Sequence, residues 1–404
     1  MKIAITNPPW YFEDESGMIR YGIRAGSRWP FTITTPDGYK PFPFFMAYAH
    51  SYLLKNNFES YFIDAITAQQ AYDKFFSAVD DIDPDFVVVE TSTPSIQNDL
   101  SVATTLTIAG YKVILVGSHA TVFADELIRQ PFVYAVLKGE YEMSLLKFCN
   151  DPIGKVYKYE NFDLNDLPWP YRDSNLIWKY TERTHNNIPK QISMMTSRGC
   201  PFRCTFCQWP PVIYNNKLRE RSVENIENEI KYLISRFGND IFIYLDDDTF
   251  NLKEDRTLTI SRMISKYDIK WSAMCRIDTL SRDAWKEMFD CGCICVNIGI
   301  ETGSPRLLEK INKRLDIGRA EQTINYLTTI GYYIHCTFTW GIPGETKDDV
   351  EFTKRLFARI NVHSKQESRC IPMPGTSWWN NLSTKEKKSI DYDGFKTKKN
   401  LLDK

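Results

Sequence analysis

Three of the ten cysteines fall within one run of eight residues, Cys200-Pro-Phe-Arg-Cys204-Thr-Phe-Cys207. Soft thiolates at this density suit zinc or an iron–sulfur centre. Zinc sites present ligand pairs with roughly two to four residues between them and a fourth Cys or His close by. No fourth ligand lies near this loop. Three thiolates would leave one iron of a [4Fe–4S] cube without a protein ligand. The loop therefore reads as a cluster site with an open coordination position, held by Cys200, Cys204 and Cys207. The remaining cysteines show no second cluster spacing: Cys293 and Cys295 alternate along a strand-like run, and Cys275, Cys336 and Cys370 are scattered. They read as small core hydrophobes.

Other chemistry-bearing residues follow in order. Leu245-Asp-Asp-Asp-Thr-Phe250 is an acidic turn, Arg276 closes WSAMCRI, and Glu301 closes CVNIGIE before Thr302. Gly341-Ile-Pro-Gly344-Glu-Thr and the IPMPGT run at 371–376 are Gly- and Pro-bearing segments, the first readable as a strand-to-helix turn. Trp209-Pro-Pro directly follows the cysteine loop, and we read Trp209 as lining a cavity.

Strands must present these residues. From 191 onward the apolar runs QISMMTS, IFIYL, WSAMCRI, CVNIGIE and HCTFTWG each precede an amphipathic helix-length segment, and a sixth strand fits in HSKQESRCIPMPG. About six units fall short of the eight that close a barrel, so the expected fold is a partial (β/α)6 barrel with its site at the carboxyl ends of the strands. The first 150 residues carry the same rhythm in KIAIT, YFIDA, DFVVVE, KVILVG and VYAVL, the all-apolar runs of a parallel sheet covered on both faces. This predicts an α/β, doubly wound (Rossmann-like) domain whose ligand loops are NPPW, TSTPS, GSHAT and KGEYE. We place this domain at 1–150, a Pro-punctuated linker at 151–190, the barrel at 191–376 and a short polar tail at 377–404. The aperiodic stretch from Tyr11 to Pro43 is too long for an ordinary connection and reads as a functional loop.

Cys-x3-Cys-x-aromatic-Cys after a first barrel strand, with Phe206 as the aromatic, resembles the signature of the radical S-adenosylmethionine (SAM) superfamily. The acidic turn is similar to the family's "DDxF" element at Asp247 and Asp248, and Glu301 to its "GxES" element. Gly341 to Thr346 and residues 371–376 are similar to "GxPGET" and "PxPGT". The resemblance implies that SAM is chelated on the open iron, with Asp247, Arg276 and Glu301 orienting it. The N-terminal layout resembles the cobalamin-binding domain of class B members, which implies cofactor contacts from Thr91, Ser92, Thr93, Gly117, Ser118, His119, Gly139 and Glu140. The Asp-x-His-x-x-Gly motif of many cobalamin proteins is missing, and the first histidine is His50, so cobalt is expected without a protein His axial ligand. The implied activity is methyl transfer from methylcobalamin to an unactivated carbon, less often phosphorus, through a 5′-deoxyadenosyl radical. The alternative is a cyclase, ring-contraction or oxidation enzyme without net methylation. The implied partners are a small-molecule or peptidyl substrate and an external electron donor such as flavodoxin or ferredoxin.

Composition excludes other classes. Fifty Lys and Arg against 51 Asp and Glu leave a net charge of −1, so no basic field attracts nucleic acid or anionic lipid. Hydrophobic residues at 43% and charged residues at 25% are those of a folding chain, and no apolar run approaches a membrane span. We expect no nucleic-acid or membrane partner and a cytoplasmic location. A cobalamin sensor with a vestigial barrel disagrees with the intact cysteine loop.

Overall fold

The structure is a computed structural model that describes residues 1–14, 16–28, 33–158, 161–181, 188 and 190–392. Within them the chain forms two compact units. One takes in residues up to 181 together with 208–216 and 391–392, and the other takes in 188, 190–207 and 217–390.

The first unit is built on a parallel sheet of six strands: β1 (Lys2–Asn7), β2 (Glu59–Asp64), β3 (Phe86–Thr91), β4 (Lys112–Gly117), β5 (Ala135–Leu137) and β6 (Val156–Tyr157). Their order is β2-β1-β3-β4-β5-β6, so the direction of winding reverses between β1 and β3. β3 is buried along its whole length, as its Val87-Val88-Val89 core requires. One face packs Val87, Val89, Val113, Leu115 and Val136 against Phe75, Val79, Val102 and Leu106 of the covering helices. Gly117 closes β4 at φ +98, and a Cβ there would sit 2.4 Å from the Thr91 carbonyl oxygen, so only glycine allows this turn.

The stretch read as a linker at 151–190 contributes the edge strand β6 and packs on this unit. Arg172 lies 4.0 Å over the Phe42 ring, and the Tyr180 hydroxyl donates to Asp64 at 3.1 Å. The aromatic Tyr11–Pro43 region forms a small antiparallel sheet of Tyr11–Glu13, Ile19–Gly22 and Ile33–Thr34. Its Arg24 is buried at the carboxyl end of β1. There Arg24 meets Asp99 at 2.7 Å and donates to Asn7, the Pro8 carbonyl and Ser95. A buried guanidinium demands this many acceptors.

The second unit holds β7 (Gln191–Met194), β8 (Phe242–Leu245), β9 (Trp271–Cys275), β10 (Cys293–Glu301), β11 (Tyr333–Trp340) and β12 (Ser364–Arg369), all parallel and adjacent in chain order. That is the expected six-stranded partial barrel. Its helices are delimited by side-chain caps. Ser222 accepts from the Asn225 N–H to start Val223–Phe237, which stops at Gly238. Thr346 and Asp349 form a reciprocal capping box at the start of Lys347–Arg359. Beyond β12 the described tail forms two short helices, Ser377–Asn380 and Thr384–Ser389. No described helix is long and apolar enough to cross a membrane.

Candidate active site

The cysteine loop leaves the carboxyl end of β7 and is clamped from two sides. On one side stands Asp247, fully buried after β8. Its Oδ1 accepts the backbone N–H groups of Thr196 at 2.8 Å and Ser197 at 2.5 Å and the Ser197 hydroxyl at 3.2 Å, and its Oδ2 accepts the Thr196 hydroxyl at 2.8 Å. Burial raises the Asp247 carboxyl above its ordinary range, and these hydrogen bonds pull it back. Asp248 accepts the Gly199 N–H at 2.9 Å, and the Thr249 hydroxyl lies 3.6 Å from the Cys200 Sγ. Gly199 has φ +90, and a Cβ there would sit 2.1 Å from the Lys217 carbonyl oxygen. Asp247 is thus a brace for the cysteine loop and not an exposed cofactor contact: its carboxylate has no surface left to offer.

On the other side the segment after helix Pro305–Lys310 holds the loop's second half. The Thr205 N–H donates to the Ile311 carbonyl at 2.9 Å, the Asn312 amide donates to the Arg203 carbonyl at 2.9 Å, and the Cys204 thiol points at the Asn312 carbonyl at 4.0 Å. Asn312 and Arg314 take left-handed backbone, at φ +57 and +52, to make this turn. Arg276 completes the bracket. Its guanidinium stacks 3.9 Å over Phe202 of the loop, forks onto Asp278 at 2.9 and 2.7 Å, and donates to the Lys313 carbonyl at 3.0 Å. The arginine expected to pair with a SAM carboxylate has Nε and Nη2 engaged within the protein, which leaves Nη1 outside these contacts.

Glu301 stands at the end of β10 at φ +73, past an irregularity in its pairing with β11. Its carboxylate accepts from Lys313 Nζ at 2.8 Å and from the Thr339 hydroxyl at 2.9 Å, so its orientation is fixed. Thr302, beside it, is fully buried and bonds Thr353 at 2.9 Å, which removes it from any ligand contact. Lys313, Asn312, Thr196 and Ser197 were missed by the sequence reading. Only the basic-polar run Asn312-Lys313-Arg314 directly after a helix offered a signal.

The donor set suits a cluster better than a single ion. Cys200, Cys204 and Cys207 are all partly exposed. Burial raises the Cys200 and Cys204 thiols, and for Cys204 the nearby Lys313 and Arg276 oppose this. A bound metal's charge would deprotonate them. Among the described residues no three His, Cys, Asp or Glu side chains are placed to hold one metal ion. The thiolates of a cube bind different irons and need not converge.

In the first unit the expected cofactor contacts divide. The Thr91 hydroxyl donates to the Val116 carbonyl at 2.7 Å and accepts the Ala120 N–H at 3.1 Å, and Ser92 bonds Ser95 at 2.8 Å. Both are buried and serve the sheet's own loops, so neither offers a donor to a ligand. Gly139 donates its N–H to Thr121 at 2.8 Å, and Glu140 is fully buried. Gly117 shapes its turn. Thr93, Ser118 and His119 remain grouped at the carboxyl ends of β3 and β4. Thr93 Oγ1 lies 3.1 Å from His119 Nδ1, the imidazole packs 4.5 Å from Phe123, and burial lowers its pKa to about 4, so it is neutral at pH 7. Trp209 is not a cavity wall: it is buried among Phe45 at 5.5 Å, Tyr214 at 6.1 Å and the Arg28 guanidinium at 4.5 Å, all in the first unit.

Glu90 lies beneath these loops and accepts from the Tyr141 hydroxyl at 2.9 Å. Burial pushes it up to about 7, with Tyr141 and Arg24 opposing. The folded chain therefore holds this proton up to about pH 7, whereas an ordinary glutamate loses it near 4.5. Stability contributed by this group falls as pH rises through that window. Urea unfolding should show a midpoint that declines from about pH 5 to 7, and Glu90→Gln should flatten the decline; an unchanged slope would remove Glu90 as its origin.

Six parallel strands form a partial barrel with a three-thiol loop at the carboxyl end of the first. Residues 194–357 match the family model of the radical SAM superfamily. An uncharacterized methyltransferase of Pyrococcus horikoshii is 27% identical over 362 residues, 83% of this chain and 77% of that protein. The anaerobic magnesium-protoporphyrin IX monomethyl ester cyclase of Cereibacter sphaeroides is 26% identical over 396 residues, 88% of this chain but 59% of the cyclase. Among solved structures, the radical SAM methyltransferase TsrM of Kitasatospora setae, with cobalamin and a [4Fe–4S] cluster bound, aligns with a TM-score of 0.68 at 14% identity, over 93% of this chain and 73% of TsrM. Residues 194–357 are thus a radical SAM domain, and the fold of the chain is similar to that of TsrM.

Proposed function

We propose that this chain is a cobalamin-dependent radical SAM methyltransferase that methylates an unactivated carbon of a small or peptidyl substrate. The observation that carries the reading is the cysteine loop, held rigid by Asp247 and Asp248 on one side and by residues 311–313 on the other, beside Arg276 and Glu301. A [4Fe–4S] cluster would be held by Cys200, Cys204 and Cys207, SAM would lie near Glu301, Phe206 and Arg276 Nη1, and cobalamin would meet Thr93, Ser118 and His119. When bound, these groups supply a 5′-deoxyadenosyl radical and a methyl group.

The chain's own residues do the positioning. Asp247 fixes where the loop starts, and Phe202, pinned under Arg276, fixes how it bends. Glu301 is turned toward its ligand by Lys313 and Thr339, so its carboxylate is oriented before anything binds, which lowers the cost of ordering the site. Neutral His119 can act as a hydrogen-bond partner without adding charge. Electrons are supplied by a flavodoxin- or ferredoxin-type donor.

The test is mass spectrometry of nucleosides from anaerobically reconstituted protein given cobalamin, SAM and a low-potential reductant. S-adenosylhomocysteine together with 5′-deoxyadenosine is the expected result. Deoxyadenosine alone would favour a cyclase or rearrangement enzyme without net methylation, and neither product from protein with a verified cluster would overturn the assignment.

A further inference from the structure

The interior face of the second unit's sheet can be read strand by strand. On β11, Phe338 packs 5.1 Å from Phe357 of helix Lys347–Arg359, so Phe338 faces the helices. Alternation then turns His335, Thr337 and Thr339 to the opposite, inner face, where Thr339 meets Glu301. Asn297 of β10 pairs in register with His335, and its Nδ2 donates to the Tyr244 hydroxyl on β8 at 3.2 Å, reaching across β9. Asn297, His335 and Tyr244 therefore share the lumen. A closed barrel fills this space with bulky branched side chains. Here the row through Asn297 carries polar side chains beside Met274.

Asn297 is 3% exposed, and its Oδ1 has no hydrogen-bond partner. A buried carbonyl oxygen left without a donor is costly and calls for an occupant. The surrounding row is uncharged. Met274, Asn297, His335 and Ser364 are register neighbours; His335 Nδ1 is bonded to Ser364 at 3.0 Å, and burial lowers its pKa, keeping the imidazole neutral. Above this row Glu301 and Lys313 neutralise one another at 2.8 Å. An ionic group placed in the lumen would meet no counter-charge in this row.

Resting on the methyltransferase reading, we infer that the barrel lumen receives an uncharged polar portion of the substrate, an amide or hydroxyl, whose N–H or O–H donates to Asn297 Oδ1. Asn297 is thereby a specificity-determining residue that selects a neutral donor over an isosteric acceptor or ion.

Isosteric probes test this on the full, cluster-reconstituted chain by saturation-transfer NMR: acetamide, acetone and acetamidinium. Acetamide is expected to bind about threefold to tenfold more tightly than acetone, the worth of one hydrogen bond. Asn297→Leu should erase that preference. Asn297→Asp, which keeps the shape and so guards against misfolding, should transfer it to acetamidinium. Equal binding of acetamide and acetone to the native chain, as when ordered water alone satisfies Asn297, would overturn the inference, as would a preference that survives in Asn297→Leu. The same samples are assayed for 5′-deoxyadenosine. Deoxyadenosine without amide preference removes this inference and keeps the enzyme reading, and amide preference without deoxyadenosine does the reverse.

Discussion

Cys204→Ala abolishes SAM cleavage and leaves cobalamin uptake intact: that is the expected outcome of the largest single change open to this chain. Cys204 is one of three thiols in the loop, and the two that would remain cannot hold a cube that already has one open iron. Changes to groups that only orient a ligand cost about 10- to 100-fold in metal affinity, so loss of a ligand itself should exceed the upper figure. Cys204 is half-buried and its thiol lies a long 4.0 Å from the Asn312 carbonyl, so alanine removes little packing. Thr93, Ser118 and His119, the residues proposed to meet cobalamin, belong to the other compact unit. Iron content, deoxyadenosine yield and cobalamin absorbance after desalting separate the outcomes. Loss of cobalamin together with iron would point to general misfolding.

Asp247→Ala is expected to strip the cluster without touching a cysteine. Removing this carboxylate orphans the N–H groups of Thr196 and Ser197 in a buried setting, at a cost on the order of 3 kcal/mol. The loop that begins there loses its register, and cluster affinity should fall about 10- to 100-fold. Asp247→Asn should retain most of both, because an amide oxygen still accepts the two N–H groups while its NH2 can donate to the Thr196 hydroxyl. Iron stoichiometry and the urea midpoint measure the two effects. Full iron content in Asp247→Ala with lost SAM binding would instead restore Asp247 as a cofactor contact.

These residues show where sequence reading succeeds and where it stops. The Val87-Val88-Val89 and Ile114-Leu115-Val116 runs announced a doubly covered parallel sheet because burial on both faces leaves no polar alternation. The cysteine spacing announced a cluster because three thiolates so close together have few other uses. The acidic turn at 246–248 was legible as important, but its partners were not: the donors to Asp247 are amides some fifty residues earlier, which pattern cannot pair with it. Thr91 and Ser92 look like ligand donors for the same reason they cap loops, since a hydroxyl at a strand end bonds whichever acceptor is nearer. Trp209 was assigned to a cavity from its place beside the cysteines, whereas its packing partner Phe45 is remote in sequence. The support given by residues 311–314 rests on backbone carbonyls and left-handed turns, which side-chain identity barely encodes.

The distance along the chain between the cysteines and their second support carries a consequence for synthesis. Cys204 and the Asn312 carbonyl it faces are separated by 108 residues. At ribosomal rates of roughly 5–20 residues per second, the thiols emerge on the order of ten seconds before the segment that completes their seat. Until residue 248 is made the loop has neither brace, and from then until residue 312 it has only the first. Stable loading of a cluster is therefore expected to follow the making of β10 and the helix after it.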